Sequence, residues 1–262
     1  MIGRALRLLG LAFVRPLECW DRLAAFVDVR LDARRERPDY APRPWDEAAA
    51  EVGRAFGADA SAILREPALQ QLEEDLRPRI EELRPHAPYP LVACGDAGLG
   101  RFCYLVCRAR RPAIVIETGV LYGVTSSFVL KALDVNGAGA LHSIDLPPLR
   151  RDQERYVGCL IPDGLRGRWR LHRGTSRRVM PGLLAAVGAV DVFVHDSLHT
   201  YPNMRREFEA AAVRLSARGV VVSDDVHLNA AWRDWAQWPE LALALTVRES
   251  DKPGLFGVGM RC

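Results

Sequence analysis

Two short runs carry most of the reactive side chains in this sequence. "HDSLHTY" (195–201) holds His195, Asp196 and His199, and "SDDVH" (223–227) holds Asp224 and Asp225. If a fold brings the runs together, three carboxylates meet. Two of them about 4 Å apart repel by roughly 4 kcal/mol at an effective dielectric near ~20, so the cluster needs a cation or protons. Oxygen ligands without sulfur suit Mg²⁺, which leaves positions open for water and substrate oxygens. His199 stands three residues beyond Asp196, near enough to act as a base on a metal-bound group. The bland alternative gives Asp196 a turn to cap and the two histidines loop carbonyls to satisfy.

A third run, "VIETGVLYGVTSS" (115–127), ends a buried apolar stretch in an acid and then places two glycines. Gly119 suits backbone angles closed to other residues, and Gly123 lets the chain approach a ligand with no Cβ in the way. The spacing is E-x-G-x-x-x-G rather than the G-x-G-x-x-G of a dinucleotide site. A carboxylate at Glu117 repels a pyrophosphate and attracts an ammonium. The run therefore suits a cofactor with an amino-acid end, such as S-adenosylmethionine, with Glu117, Gly119, Tyr122, Gly123, Thr125 and Ser126 around it. A plain strand-end turn is the competing reading. Asp145, in "SIDLPP", is an acid suited to two ribose hydroxyls. Thr175 and Ser176, in "GTSRRVMP" (174–181), are placed to face an adenine, and an ordinary polar loop explains them equally well. His195 joins the cofactor side.

Alternating strands and helices must position these residues. "AIVIETG" (113–119), "ALHSIDL" (140–146), "WRLHRG" (169–174), "VDVFVHD" (190–196) and "RGVVVSDD" (218–225) read as strands. Helical stretches fall at 126–137, 177–187 and 203–216. "LALTVRES" and "LFGVGMR" flank "DKPG", the signal of an antiparallel pair. The expected fold is α/β: a Rossmann-like, doubly wound, mostly parallel sheet closed by a C-terminal hairpin, with ligands beyond the carboxyl ends of the strands. Residues 1–90 read as a helical N-terminal cap and 91–262 as the catalytic domain. Within the cap, helices are expected over 1–34, 46–56 and 61–84, the last with Ser61 as N-cap and Pro67 and Pro78 dividing or kinking it. A proline-rich linker covers 35–45.

The bulk numbers narrow the class. The chain has 262 residues, is 49% hydrophobic and carries a net charge of +3, so it is neither disordered nor membrane-spanning in composition. Its arginines are interleaved with acids, which argues against a nucleic-acid stripe. Only Lys131 and Lys252 are lysines among 36 basic residues. Six cysteines show no paired spacing; Cys103 and Cys107 share a helix face with no further ligands, as expected of reduced cysteines in a cytoplasmic protein. The apolar N-terminal run lacks an export cleavage site and is too short for a bilayer. It reads as a packing or homo-oligomer-forming helix, with membrane-surface attachment as the alternative. Trp232, Trp235 and Trp238 repeat every three residues, a core stripe or else a substrate wall or dimer face.

In this order "VIETGVLYGVTS", "SIDLPP", "GTSRRVMP", "FVHDSLHTY" and "GVVVSDD" resemble the class I S-adenosylmethionine-dependent methyltransferases. The resemblance covers roughly residues 91–262. It is closest to metal-dependent small-molecule O-methyltransferases, including those of macrolide sugars, and so implies a hydroxylated natural product as acceptor. It further implies Asp196, Asp224 and Asp225 as Mg²⁺ ligands, His199 as general base, and Glu117, Gly119, Gly123 and Asp145 as cofactor-binding. "CGDAG" (94–98) is similar to a loop that touches the methionine part of the cofactor. The sequence departs from the pattern in its Asp224-Asp225 pair, in Thr175 where many relatives carry an acid, and in His195 where some carry an aspartate. An inactive methyltransferase-like scaffold is the reading from another class, and an NAD-dependent oxidoreductase is disfavoured by Glu117 and the glycine spacing.

Overall fold

The computed structural model describes residues 11–33, 35, 37–91, 97–147, 149, 153–250 and 252–262. "CGDAG" falls largely outside the described residues, as do residues 1–10 of the first expected helix. In chain order the helices are α1 (Pro16–Asp32), α2 (Trp45–Phe56), α3 (Ala60–Leu64), α4 (Pro67–Leu83), α5 (Ala97–Arg110), α6 (Val124–Asn136), α7 (Ser176–Val187), α8 (Tyr201–Ala212) and α9 (Ala231–Trp235). The strands are β1 (Ile114–Thr118), β2 (Ala140–Asp145), β3 (Trp169–Arg173), β4 (Val190–His195), β5 (Leu215–Ser223), β6 (Leu241–Arg248) and β7 (Leu255–Arg261). They form one seven-stranded sheet in the order β3-β2-β1-β4-β5-β7-β6, parallel except for β7, which runs antiparallel to both β5 and β6.

The strand order reverses between β1 and β4, so the carboxyl ends of those two strands border the crevice in which such sheets bind ligands. β1 and β4 are apolar without alternation because helices cover both faces. On one face the sheet shares a core with α5, α6 and also α2 and α4, through Ala48, Val52, Leu69, Leu72 and Leu76. The cap helices therefore contribute to the core of the α/β sheet. On the other face α7, α8 and α9 bury Met180, Phe208, Trp232 and Trp235.

As expected, Pro67 divides the 61–84 helix and begins α4 afresh, while Pro78 sits inside α4. The first piece, α3, is capped by Asp59, whose side chain accepts from the Ala62 N–H at 3.0 Å, and not by Ser61. Between β2 and β3, where the sequence offers no helical stretch, the described chain forms two 3₁₀ turns, Gln153–Tyr156 and Asp163–Arg168. The linker does more than connect: Arg43 donates its N–H to Thr246 O at 2.8 Å and accepts from Arg248 at 3.0 Å, covering the β6 edge. The tryptophan stripe is core. Trp232 and Trp235 pack at 5.3 Å beneath Gly257 and Gly259 of β7, where an added Cβ would fall 2.4 and 2.7 Å from the indoles.

Candidate active site

Backbone hydrogen bonds tie the ends of five strands, β1 to β5, into one floor. Gly119 N–H donates to Ile144 O, Asp196 N–H to Thr118 O, Asp224 N–H to His195 O and Gly174 N–H to Asp145 O, all at 2.8–2.9 Å. Gly119 sits at φ +84°, and a Cβ there would lie 1.9 Å from the Asp196 carbonyl oxygen. It is glycine because a neighbouring strand end passes against it.

Glu117 is fully buried at the end of β1. Its Oε2 accepts from Ser126 Oγ and Ser143 Oγ, each at 2.7 Å, and Ser143 in turn accepts from Trp169 Nε1 at 2.9 Å. Its Oε1 is buried with no hydrogen-bond partner. Burial pushes the carboxyl up to about 7 against the pull of the two hydroxyls. Asp145 commits Oδ2 to the N–H groups of Val120 and Leu121, both at 2.9 Å, so it shapes the glycine loop as well as facing the crevice. Burial raises its carboxyl too, opposed by those amides.

Several residues expected at the cofactor have partners inside the protein. The Tyr122 hydroxyl is latched to Tyr89, accepting from its N–H at 2.9 Å and donating to its carbonyl at 3.0 Å. At Gly123, with a left-handed φ of +87°, a Cβ would stand 2.8–2.9 Å from Ile161 and Gly158, so close packing there requires glycine. Thr175 Oγ1 donates to Asp21 at 3.1 Å, and Ser176 Oγ to Asn203 at 3.4 Å. Ser126 is held by Glu117. Thr125, on the first turn of α6, keeps a buried hydroxyl without a partner.

Asp196, His199 and Asp224 come together, with one ligand atom from each lying within 4.8 Å of the others. His199 Nε2 lies 3.6 Å from Asp196 Oδ1 and 3.9 Å from Asp225 Oδ2. Asp225 was expected among three converging aspartates; it sits at φ +51°, between His199 and His227, at the rim of the cluster. Burial and the neighbouring Asp224 push the Asp196 carboxyl well above the usual range, and the same two causes raise Asp225. Burial, helped by nearby His195, lowers the His199 imidazole to about 4.

His195 lies behind this cluster. It is fully buried, with Nδ1 2.6 Å from Glu207 Oε2 and its ring edge-on to His199 at 5.2 Å. Glu207, on α8, also accepts from Thr118 Oγ1 at 2.6 Å, Ser197 Oγ at 2.9 Å and Asn203 Nδ2 at 2.9 Å. Burial alone would raise its carboxyl, but His195 and the surrounding donors bring it down to about 2. Sequence reasoning missed Glu207, and it missed Asn229, whose side chain donates to His199 O at 3.3 Å. It also missed Lys252, in the β6–β7 turn, with Nζ 3.3 Å from Asp224 Oδ2. Lys252 did leave a signal, as one of two lysines among 34 arginines.

The donor set fits a divalent cation. Carboxylates and an imidazole converge, and both Asp224 Oδ1 and His199 Nδ1 are buried without hydrogen-bond partners.

Residues 116–226 match the family described as a methyltransferase domain. No curated protein matches the chain in sequence. Among solved structures, cofactor-bound Rv0187 from MTB is similar at a TM-score of 0.56 and 18% identity, covering 85% of this chain and 99% of that one. The O-methyltransferase from Bacillus cereus in complex with SAH is similar at 0.56 and 14%, covering 83% and 98%. The O-methyltransferase TomG from Streptomyces achromogenes, involved in tomaymycin synthesis and solved with SAM, is similar at 0.54 and 17%, covering 90% and 95%. At these identities the likeness is one of fold.

Proposed function

With residues 116–226 a methyltransferase domain on the class I, S-adenosylmethionine-dependent fold, we propose that this chain methylates a hydroxyl of a small molecule with the help of a divalent metal and a histidine base. The observation that carries the reading is the meeting of Asp196, His199 and Asp224 one strand away from a buried, half-satisfied Glu117. A hydroxylated natural product is the acceptor class, in keeping with the similarity to TomG.

Glu117 holds the ammonium end of the cofactor. Ser126 and Ser143 fix the carboxylate through Oε2 and leave Oε1 for a cation. Thr125 supplies the nearest uncommitted hydroxyl, and the remaining oxygen of Asp145 suits the ribose. On the acceptor side, Asp196, Asp224 and Asp225 would hold Mg²⁺, which would orient the acceptor oxygen and make its proton easier to remove. A hard cation prefers these oxygens to the imidazole, which leaves His199 for the proton. With its pKa near 4, His199 is neutral at pH 7. It takes the hydroxyl proton at Nε2, and Asn229 and His195 hold the ring and backbone in place. S-adenosylmethionine, held at Glu117, would supply the methyl group to the acceptor oxygen, with the carbon–sulfur electron pair leaving on sulfur as the thioether.

The test is the rate of S-adenosylhomocysteine formation over a panel of catechol, phenol and sugar-hydroxyl acceptors. Chelator should abolish turnover and Mg²⁺ restore it. His199→Ala should cost about 10²–10⁴-fold in kcat, the usual contribution of a positioned base. Asp225→Ala should weaken metal binding. Full activity in all three conditions would remove both the metal and the base.

A further inference from the structure

Helix α1 is built inside out. A helix on a globular body normally turns its apolar stripe inward and its charges to water. In α1 the body-facing residues are Glu18, Asp21, Arg22 and Asp32. Glu18 accepts from Arg173 Nη1 at 2.8 Å, and Asp21 pairs with Arg178 at 2.8 Å. Arg22 donates to Pro147 O at 2.6 Å, and Asp32 accepts from the Tyr201 N–H at 2.9 Å. The outward side carries Leu17, Trp20, Leu23, Phe26, Val27, Val29 and Leu31, with Phe13 and Val14 just before it. Nine of the twelve large exposed apolar side chains of the described residues are therefore here, from 45% exposed at Leu23 to 89% at Phe13. With a buried aromatic worth ~150–250 Å², they present on the order of 1,000 Å² of apolar surface. A typical monomer's largest patch is about 300–600 Å², and one side of a standard interface about 800 Å².

We infer that α1 is a self-association surface and that its occupant is α1 of a second copy of this chain. Leu17, Trp20, Ala24, Val27 and Leu31 follow one another three and four residues apart. That spacing lays one line of side chains along a helix for another helix to meet. A membrane-lying helix would carry arginine and lysine beside its apolar face. α1 instead turns Glu18, Asp21 and Arg22 inward to partners on the body, and within the helix only Arg30 is an exposed cation beside the apolar face. A two-fold pair needs only one self-complementary strip, and α1 supplies it. The inner face of the same helix grips Arg173, Thr175 and Arg178 at the ends of β3 and the start of α7, so the pair would form beside the crevice. The association does not depend on the methyl-transfer reading.

Light scattering behind size exclusion on the full chain tests this. Wild type should run at twice its 29.1 kDa mass. Leu17→Glu/Trp20→Glu/Val27→Glu, which changes only exposed side chains, should run at 29.1 kDa with an unaltered circular dichroism spectrum. Val213→Glu, at a site 77% exposed elsewhere on the surface, should leave the dimer intact. Trp20→Glu alone, expected to raise the dimer dissociation constant at least tenfold, keeps the test standing if the triple variant does not fold. A monomeric wild type, or a triple variant that stays dimeric, overturns the proposal. So does flotation of a monomeric wild type with phosphatidylserine vesicles, which would assign the surface to lipid.

Discussion

Two glutamates lie on opposite faces of β1, both fully buried, and their chemistry diverges. Glu117 meets only neutral hydroxyls and is pushed up to about 7, while Glu207 meets His195 and is brought down to about 2. Burial disfavours both charges; the imidazole and the hydrogen-bond donors packed around Glu207 outweigh it there. Glu207 is finished within the chain, with four donors around its two oxygens. Glu117 is left with an unpartnered oxygen, the state of a group whose cation comes from outside. The first belongs to the scaffold of the site; the second is the group that the proposed function assigns to a ligand.

The hardest way to break this comparison is to remove the scaffold carboxylate. Glu207→Gln leaves His195 buried against an amide and should cost about 3–5 kcal/mol of stability, as expected when one partner of a buried ion pair is lost. Urea denaturation measures it. His195→Phe in the Glu207→Gln background should recover part of the loss, because the orphaned imidazole goes with it. A loss under about 1 kcal/mol would mean that the pair is not ionic.

Opposite pH signatures sharpen the contrast. Glu207, depressed from 4.5 to about 2, contributes stability that is present above pH 4.5 and lost as the pH falls toward 2. Glu117, raised from 4.5 to about 7, does the reverse: its contribution is full below 4.5 and is lost as the pH rises through 7. At about 1.4 kcal/mol per unit each is on the order of 3 kcal/mol. Glu117→Gln should therefore be more stable than wild type at pH 8 and lose the slope between 4.5 and 7. The same variant should bind S-adenosylmethionine at least tenfold more weakly by calorimetry, given about 1.5–3 kcal/mol for a hydrogen bond to a charged group. Unchanged affinity would take Glu117 away from the ammonium.

How much of this was legible in the sequence follows the same division. All seven strands, the closing hairpin and the acids at the ends of β1, β2, β4 and β5 could be read, because apolar runs ending in acids are local patterns. Glu117 was expected at a ligand because an acid ahead of Gly119 and Gly123 repels a pyrophosphate and attracts an ammonium. Glu207 could not, since "MRREFEAAA" looks like a solvated helix face and only the packing of α8 under β4 buries that one residue. For the same reason the internal partners of Tyr122, Thr175 and Ser176 could not be read. Those partners, Tyr89, Asp21 and Asn203, lie 33, 154 and 27 residues away.

Asp224 stands between the two glutamates, and it gives the smallest and most discriminating prediction. It has a cation from within the chain, Lys252 at 3.3 Å, but one carried on the β6–β7 turn rather than packed beneath the sheet. Its other oxygen, Oδ1, is buried without a partner. If the acid cluster is made for a divalent ion, Lys252 competes for the same carboxylate, and the ion must bind against that charge. Lys252→Met keeps the apolar stem of the side chain and removes the competitor. Mn²⁺ binding, followed by calorimetry and by the loss of the free-ion electron paramagnetic resonance signal, should tighten by several-fold. That corresponds to up to about 1 kcal/mol, the range of a partly exposed ion pair. Arginine fills 34 of the 36 basic positions but not this one. Lys252→Arg, with a planar fork that holds a carboxylate at two points, should shift metal affinity the other way. Should both variants bind Mn²⁺ as wild type does, Lys252 is a spectator, and Asp224 belongs with Glu207 among the groups completed by the fold.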